Sequence, residues 1–279
     1  MICWLLDKKM PERDAVPPAF LNPVEASELA GMRFPKRRGE WLHGRRAAKT
    51  LLQKCHPACA QVSLSEIVIA NEPTRAPYAA LANGMRLPGS LSITHSGPLA
   101  AAALALAPHL RVGIDLEKIE TRPAGFFEAY FTAGENAYLR SCPAESEAET
   151  LTLLWSAKES VLKALRTGLA QDTLRVEIDL VEASPTLGRT TQKNQKMVGS
   201  KSNPPDEARN EKGEDEAAGS WQRFGIGGAA VAASTAGSES WAWSGWWQVY
   251  QGYILTLAAA GPADALGQGL GREIPFQVG

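Results

Sequence analysis

At 279 residues and with 44% hydrophobic content, the chain can bury the core of one large domain or of two domains of ordinary size. Its 29 basic residues nearly balance 30 acidic ones, and a net charge of −1 indicates no partner by charge alone. The sequence has no run of eighteen apolar residues that would predict a transmembrane helix, and the apolar stretch at its start is too short for a signal peptide. We therefore expect a cytoplasmic protein that does not enter a membrane.

The four cysteines are too few and too irregularly spaced for the disulfide framework of a small secreted protein. Cys55 and Cys59, in the segment C-H-P-A-C, could supply half of a zinc site, but no second pair follows them. We therefore predict reduced thiols near a helix end.

The first segment, up to about residue 34, is rich in proline and acidic residues and predicts a strand, a loop and a short helix. Residues 33–54 then predict a basic amphipathic helix in which eight positive residues face one acid, Glu40. The positive residues are Arg33, Lys36, Arg37, Arg38, Arg45, Arg46, Lys49 and Lys54. Such a face is either solvated or an anion-binding surface, and both interpretations stay open.

Three strands are predicted between residues 62 and 107. The first ends before a turn-rich loop, N-E-P-T-R-A-P-Y, that contains Arg75. The second, L-S-I-T-H-S-G, carries Thr94 and His95 toward a glycine turn, where a lone histidine is either a structural residue or a ligand. The third, at residues 99–107, is rich in alanine, which favours a helix, but its length between two proline-containing turns favours a buried strand, which we predict.

The segment R-V-G-I-D-L-E predicts a short strand in which Asp115 and Glu117 share one face, because side chains alternate along a strand. Further on, T-A-G-E has the form of a capping box, with Thr132 as the N-cap and Glu135 reaching back to it. We expect a helix to begin there.

A long helix is predicted from about residue 144 to residue 166, with Gly168 as its C-terminal glycine. Its apolar stripe consists of Leu151, Leu154, Trp155, Val161, Leu162 and Leu165. Lys158 lies in the middle of this stripe, so an anion must meet its ammonium group. Glu159 and Lys163 lie side by side on the flank of the stripe, where both can reach one site.

Beyond the helix, T-L-R-V-E-I-D-L-V predicts a strand by its alternation. Residues 184–220 contain no aromatic and few aliphatic residues, which predicts a disordered insert between two strands. Five of the eight tryptophans follow residue 220, in segments that predict hairpin strands closing a second sheet.

Two motifs, V-G-I-D-L-E and, about forty residues later, W-S-A-K-E-S-V-L-K, together resemble the 4'-phosphopantetheinyl transferase superfamily, in its surfactin-synthetase-activating (Sfp-like) branch. The resemblance extends over roughly residues 33–182. It implies an α/β (α+β) fold, a pseudo-dimer of two similar α/β subdomains, each a small antiparallel sheet packed on a long helix, with the active site in the cleft between them. The expected subdomains are residues 1–110 and 111–279.

The resemblance also implies roles for residues that match the family's motifs. It implies a metal site for Mg²⁺, or Mn²⁺ in its place, formed by Asp115, Glu117 and Glu159. It implies catalytic roles for Glu159, as a base for a serine hydroxyl, and for Lys158 and Lys163, as ligands of the phosphates. The residues expected to bind coenzyme A are Arg38, Arg45, Arg75, Thr94, His95, Lys158 and Lys163.

Among these, Arg45 is the first candidate for the 3'-phosphate of coenzyme A and Arg38 the second. The loop around Arg75 departs from the family's pattern, because Ala76 separates the arginine from Pro77 and the family's glycine is missing.

Members of this family transfer the 4'-phosphopantetheine arm of coenzyme A to a serine of an apo carrier protein (acyl, peptidyl or polyketide) and release 3',5'-ADP. We therefore expect a transferase of the holo-[acyl-carrier-protein] synthase type, acting as a monomer on a carrier protein and coenzyme A, without nucleic acid or membrane. Two alternatives stay open. One is a non-catalytic coenzyme-A-binding partner, against which the intact acids and lysines argue, and the other is a magnesium-dependent pyrophosphate hydrolase.

Overall fold

A computed structural model describes residues 1–9, 11, 18–123, 125–167, 171–180, 221–235, 241–263, 266 and 276–277. The predicted insert at residues 184–220 and the predicted helix-ending Gly168 lie outside these residues. Within them, no helix is both long enough and apolar enough to cross a membrane. The chain forms mixed helix and sheet structure with antiparallel sheets, which confirms the predicted α+β class.

The helices and strands follow one another in two groups. The first group is β1 (Ile2–Asp7), α1 (Pro23–Ala30), α2 (Pro35–Cys55), β2 (Ile67–Asn71), β3 (Pro77–Leu81), β4 (Ser90–Ser96) and β5 (Leu99–Ala105). The second group is β6 (Arg111–Lys118), α3 (Phe126–Tyr130), α4 (Ala133–Ser141), α5 (Glu147–Leu165), β7 (Glu177–Asp179), β8 (Gln222–Gly227), α6 (Ala229–Ser234), β9 (Trp241–Tyr250), β10 (Tyr253–Pro262) and β11 (Phe276–Gln277).

The first sheet has the strand order β11-β1-β5-β4, and α2 packs across it. β5 pairs antiparallel with β1 and β4, whereas β11 returns from the end of the chain and pairs parallel with β1. Every residue of β5 is buried, and its alanines leave room for Leu51 and Leu52 of α2. The alanine-rich segment is therefore a strand, as predicted, because both of its faces are covered. β2 and β3 form a separate antiparallel pair.

The second sheet has the order β6-β10-β9-β8-β7, and α5 packs over β6 and β10. The tryptophan-rich strands β9 and β10 form the predicted hairpin. Consecutive residues of β9 point to opposite faces, so Trp246 lies in the core shared with the first sheet and Trp247 in the core under α5.

Helix α5 lies very close to β6 at Gly113. A Cβ atom on Gly113 would lie 1.8 Å from the carbonyl oxygen of Ser160 and 2.7 Å from the backbone nitrogen of Ala164. Only glycine allows two backbones to approach so closely. This approach brings side chains of α5 within reach of the carboxylates of β6.

The two sheets meet where β4 and β6 lie side by side. Oγ of Ser90 accepts a hydrogen bond from the backbone N–H of Val112 (3.2 Å), and Oγ of Ser92 accepts one from that of Ile114 (3.0 Å). Hydroxyl groups of one edge strand thus satisfy backbone donors of the other sheet's edge strand. We call this contact the hydroxyl seam.

The structure tests two predicted helix ends, the start of α4 and the end of α5. The capping box is confirmed, since Oγ1 of Thr132 accepts from the N–H of Glu135 (3.3 Å) and Oε2 of Glu135 accepts from the N–H of Thr132 (2.8 Å). The long helix ends at Leu165, and Arg166 takes the left-handed conformation (φ 61°) that the sequence assigns to a glycine. The division at residue 110 falls between β5 and β6 and stays a prediction.

Candidate active site

Asp115 of β6 is a buried acid beside α5. Its Oδ1 accepts hydrogen bonds from Nζ of Lys163 (2.6 Å) and from Oγ1 of Thr94 (3.1 Å), and its Oδ2 accepts one from Oγ of Ser156 (2.9 Å). Nζ of Lys163 also donates to the carbonyl of Ile114 (3.1 Å). The carboxylate therefore joins β6 to α5 and, through Thr94, to the end of β4.

Glu117 lies two residues further along the same face of β6. Its Oε1 accepts a hydrogen bond from Nε1 of Trp155 (3.3 Å), and its Oε2 accepts one from Nη2 of Arg122 (3.1 Å). Burial and the charge of Asp115 raise the pKa of Glu117, although Arg122 acts against the shift.

Glu159 of α5 completes the acidic cluster, by which we mean Asp115, Glu117 and Glu159. Its Oε1 is buried and has no hydrogen-bond partner among the described residues. Burial, followed by the negative charge of Asp115, raises the pKa of Glu159 to about 7, with Lys163 opposing and Glu117 adding to the shift. A perturbed acid of this kind is typical of a functional site.

The donor chemistry of the acidic cluster suits a hard divalent cation. Carboxylate oxygens are the ligands that Mg²⁺ prefers, and a cation would offset the repulsion that raises the pKa of Glu159. The buried Oε1 of Glu159 is an acceptor available for such an ion. In the described part of the chain, however, no three His, Cys, Asp or Glu side chains are gathered as one metal site, because Asp115 and Glu117 are turned to other donors.

A groove with a volume of about 730 Å³ lies between the first half of α2, the loop before β3 and the end of β4. It is lined by three residues predicted to bind coenzyme A, namely Arg45, Arg75 and His95. Arg75 holds a left-handed backbone conformation (φ 68°), which is uncommon outside glycine and is often retained at functional sites.

Arg45 is largely buried in the wall of this groove. Its guanidinium group lies 4.6 Å from the ring centre of Trp41, and its Nε is 3.9 Å from Oε1 of Glu25. Nε and Nη2 are buried and have no hydrogen-bond partner in the described residues. Burial lowers the pKa of Arg45, so an anion at these donors would be favoured electrostatically.

His95 connects the groove with the acidic cluster. Its neighbour Thr94 contacts Asp115, while His95 itself lines the groove. Desolvation lowers the pKa of its imidazole, and charges from both regions act on it, namely Glu40 in the groove and Asp115 in the cluster, together with Lys163 beside Asp115. The two regions are therefore adjacent.

Lys158 requires a correction, because the structure gives its ammonium a different anion from the predicted phosphate. Nζ lies 2.8 Å from Oε2 of Glu135 and donates to the carbonyls of Thr173 (2.9 Å) and Val176 (2.7 Å), with no exposed surface. Adjacent residues of a helix point about 100° apart, so Lys158 faces the core while Glu159 faces Asp115.

Arg38 requires a second correction. Its Nη1 donates to the carbonyls of Leu29 (3.0 Å) and Met32 (3.3 Å) at the end of α1, and it is not part of the groove lining. Thr94 likewise donates to Asp115 rather than lining the groove.

Other cations of the predicted basic face are also engaged inside the protein. Lys49 is fully buried and pairs with Glu25. Arg46 pairs with Asp7 at the end of β1 (2.8 Å).

Sequence reasoning assigned no specific role to several residues of these two regions. Lys36, Arg37 and Trp41 line the groove; their spacing along the basic helix was a signal for them. Ser156 donates a hydrogen bond to Asp115, and Arg122 donates one to Glu117. Nothing in the sequence identified Arg122, which lies just beyond the first motif.

The acidic cluster therefore lies beside a groove that is lined by several basic residues. Residues 111–208, which include both motifs, match the family model described as the 4'-phosphopantetheinyl transferase superfamily. The chain is also 35% identical over 92 residues to the 4'-phosphopantetheinyl transferase psf-1 of Bacillus pumilus, a match that covers 32% of this chain and 38% of that relative. The chain thus spans less than half the length of the relative it matches. The comparisons confirm the resemblance seen in the motifs, since residues 111–208 are similar to the 4'-phosphopantetheinyl transferase superfamily.

Proposed function

We propose that the protein is an Sfp-like transferase that moves the 4'-phosphopantetheine arm of coenzyme A to a serine of an apo carrier protein and releases 3',5'-ADP. The observation that supports this best is the contact of Asp115 with Lys163 between β6 and α5, where the charges of Asp115 and Glu117 also act on Glu159. This region is adjacent to the groove of Arg45, Arg75 and His95. The proposal includes a monomeric, cytoplasmic protein whose two helix-on-sheet halves form a pseudo-dimer.

In this proposal the groove binds the nucleotide end of coenzyme A. Arg45 has buried donors without partners, and charge-assisted hydrogen bonds to a phosphate would satisfy them. Arg75 and His95 line the same groove and would bind the remaining phosphate oxygens. Lys163 then supplies positive charge at the cluster, where the pyrophosphate would enter.

The acidic cluster would hold a magnesium ion through Asp115, Glu117 and Glu159. When bound, this ion supplies positive charge and polarises a phosphate oxygen.

The transfer itself needs a base for the carrier's serine. The serine oxygen forms a bond to the phosphorus that carries pantetheine, the bond from this phosphorus to the bridging oxygen breaks, and 3',5'-ADP leaves with the bonding electrons. We assign the hydroxyl proton to Glu159, either directly or through a water molecule.

The test is the mass of an apo carrier protein after incubation with this protein, coenzyme A and magnesium. We expect a gain of roughly 340 Da from the transferred arm, abolished by EDTA and by Glu159→Ala. Glu145→Ala, which removes an exposed acid before α5, is the matched control and should leave the gain intact.

Two outcomes would contradict the proposal. Coenzyme A consumed without any modified carrier would indicate a pyrophosphate hydrolase. Coenzyme A bound tightly but never consumed, across acyl, peptidyl and polyketide carriers, would indicate a binding partner without catalysis.

A further inference from the structure

Both carboxylate oxygens of Glu117 are occupied by side chains. Trp155 donates to Oε1 (3.3 Å) from α5, and Arg122 donates to Oε2 (3.1 Å) from the turn after β6. A positive group therefore sits on the carboxylate where a divalent cation would have to bind. Asp115 has a similar arrangement, since its Oδ1 accepts from Nζ of Lys163 and its Oδ2 accepts from the neutral hydroxyl of Ser156.

Arg122 is placed so that it can leave Glu117 and keep other contacts. Its Nη1 lies 3.5 Å from Oε1 of Glu120, and its guanidinium group lies 5.5 Å from the ring centre of Phe126. Its Nε is buried and has no hydrogen-bond partner within the described residues. The pair with Glu117 is only moderately enclosed, with 19% and 27% of the two side chains exposed, and pairs of this kind are weak enough to be displaced.

We propose that Arg122 is a positioning residue that competes with the divalent cation for Glu117. Arg122 holds the carboxylate against Trp155 until a cation takes its place, and the guanidinium group then turns to Glu120. This explains why three nearby acids are not gathered as one site. The inference rests on the proposed function only in taking Asp115, Glu117 and Glu159 as the cation site.

The test measures Mn²⁺ binding by the whole chain from the electron paramagnetic resonance signal of the free ion. We expect Arg122→Gln to bind Mn²⁺ about threefold more tightly than the wild type, from the modest strength of a partly exposed ion pair. Lys118→Gln is the matched control, since it removes an exposed positive charge next to Glu117 in the sequence but on the other face of β6, and it should change the affinity much less.

A double-mutant comparison isolates the contact. In a Glu117→Gln background, Arg122→Gln should no longer alter Mn²⁺ affinity. Should Arg122→Gln fail to fold, Arg122→Lys keeps the charge, loses the Nη2 contact, and should shift the affinity in the same direction by a smaller factor.

Unchanged or weaker Mn²⁺ binding by Arg122→Gln overturns the inference, and so does the absence of Mn²⁺ binding by all variants. The carrier mass assay separates this from the proposed function. If the arm is transferred but Arg122→Gln has the Mn²⁺ affinity of the wild type, only the inference about Arg122 is contradicted. If Arg122→Gln binds Mn²⁺ more tightly but no arm is transferred, the inference is supported and the transferase proposal is contradicted.

Discussion

Nζ of Lys158 lies 2.8 Å from Oε2 of Glu135, and at most 1% of either side chain is exposed. Glu135 also caps α4 through Thr132 and accepts the backbone N–H of Ile178 (2.8 Å) through Oε1. This single carboxylate therefore fixes α4, α5 and β7 together. Burial lowers the pKa of Lys158, and the charge of Glu135 opposes that shift.

We predict that Lys158→Met lowers the free energy of unfolding by about 3 kcal/mol, because it leaves a buried carboxylate without its counter-charge. Urea denaturation measures the change. The double variant Lys158→Met, Glu135→Gln should recover part of the loss, since no charge is then left unpaired. Under conditions where Lys158→Met is folded, its affinity for coenzyme A should match that of the wild type. A tenfold loss of affinity would instead show that Lys158 binds a phosphate of coenzyme A.

A second prediction concerns the contact between α5 and β6. Gly113→Ala places a methyl group against the carbonyl of Ser160 and should lower the free energy of unfolding by at least about 2 kcal/mol. Gly227→Ala is the matched control, because a Cβ atom there meets nothing within 4 Å. Equal urea midpoints for the two variants would show that α5 can move away from β6 at little cost.

A third prediction tests the groove. Arg45→Gln should raise the Kd for coenzyme A about tenfold in calorimetric titrations, as expected for one charge-assisted contact. With 3'-dephospho-coenzyme A the same substitution should matter less than twofold. Arg38→Gln should leave both affinities unchanged, since Arg38 bonds to the end of α1. An equal loss for both ligands would place the contact of Arg45 elsewhere than on the 3'-phosphate.

A fourth prediction concerns Glu159 and pH. Its pKa of about 7 lies above the ordinary value of 4.5, so between these values the folded protein keeps a proton that the unfolded chain has lost. The free energy of unfolding therefore falls as the pH rises through this window.

In EDTA at pH 8, Glu159→Gln should consequently be more stable than the wild type by about 2 kcal/mol, after allowance for partial solvent screening. At pH 5 the difference should nearly vanish. Glu145→Gln, which removes the charge of an exposed acid before α5, serves as the comparison. A Glu159→Gln variant less stable than the wild type at pH 8 would contradict the prediction.

The sequence was informative where a pattern is local. The apolar stripe of α5 identified Lys158 as a buried cation that needs an anion, and alternation placed Asp115 and Glu117 on one face of β6, both as the structure has them. It could not identify the anion of Lys158. Glu135 lies 23 residues away, and its role as a helix cap accounts for only part of its contacts. The family motif assigned Lys158 and Glu159 to one site, although adjacent residues of a helix point about 100° apart.

The basic helix shows the same limit. From its composition, the basic face of α2 could be either solvated or anion-binding. In the structure, some of its cations form internal ion pairs, and others line the groove. Lys49 and Arg46 pair with acids from α1 and β1, which no periodicity could reveal, because those partners are brought near by the tertiary fold. Arg45 remains in the groove, where its Nε and Nη2 have no hydrogen-bond partner among the described residues.

The hydroxyl seam, together with Thr94, ties the groove to the acidic cluster. Ser90, Ser92 and Thr94 connect β4 to β6 at successive positions, so the strand that carries His95 cannot slide past the strand that carries Asp115 without breaking these bonds. The span between groove and acidic cluster is thus set before any ligand arrives.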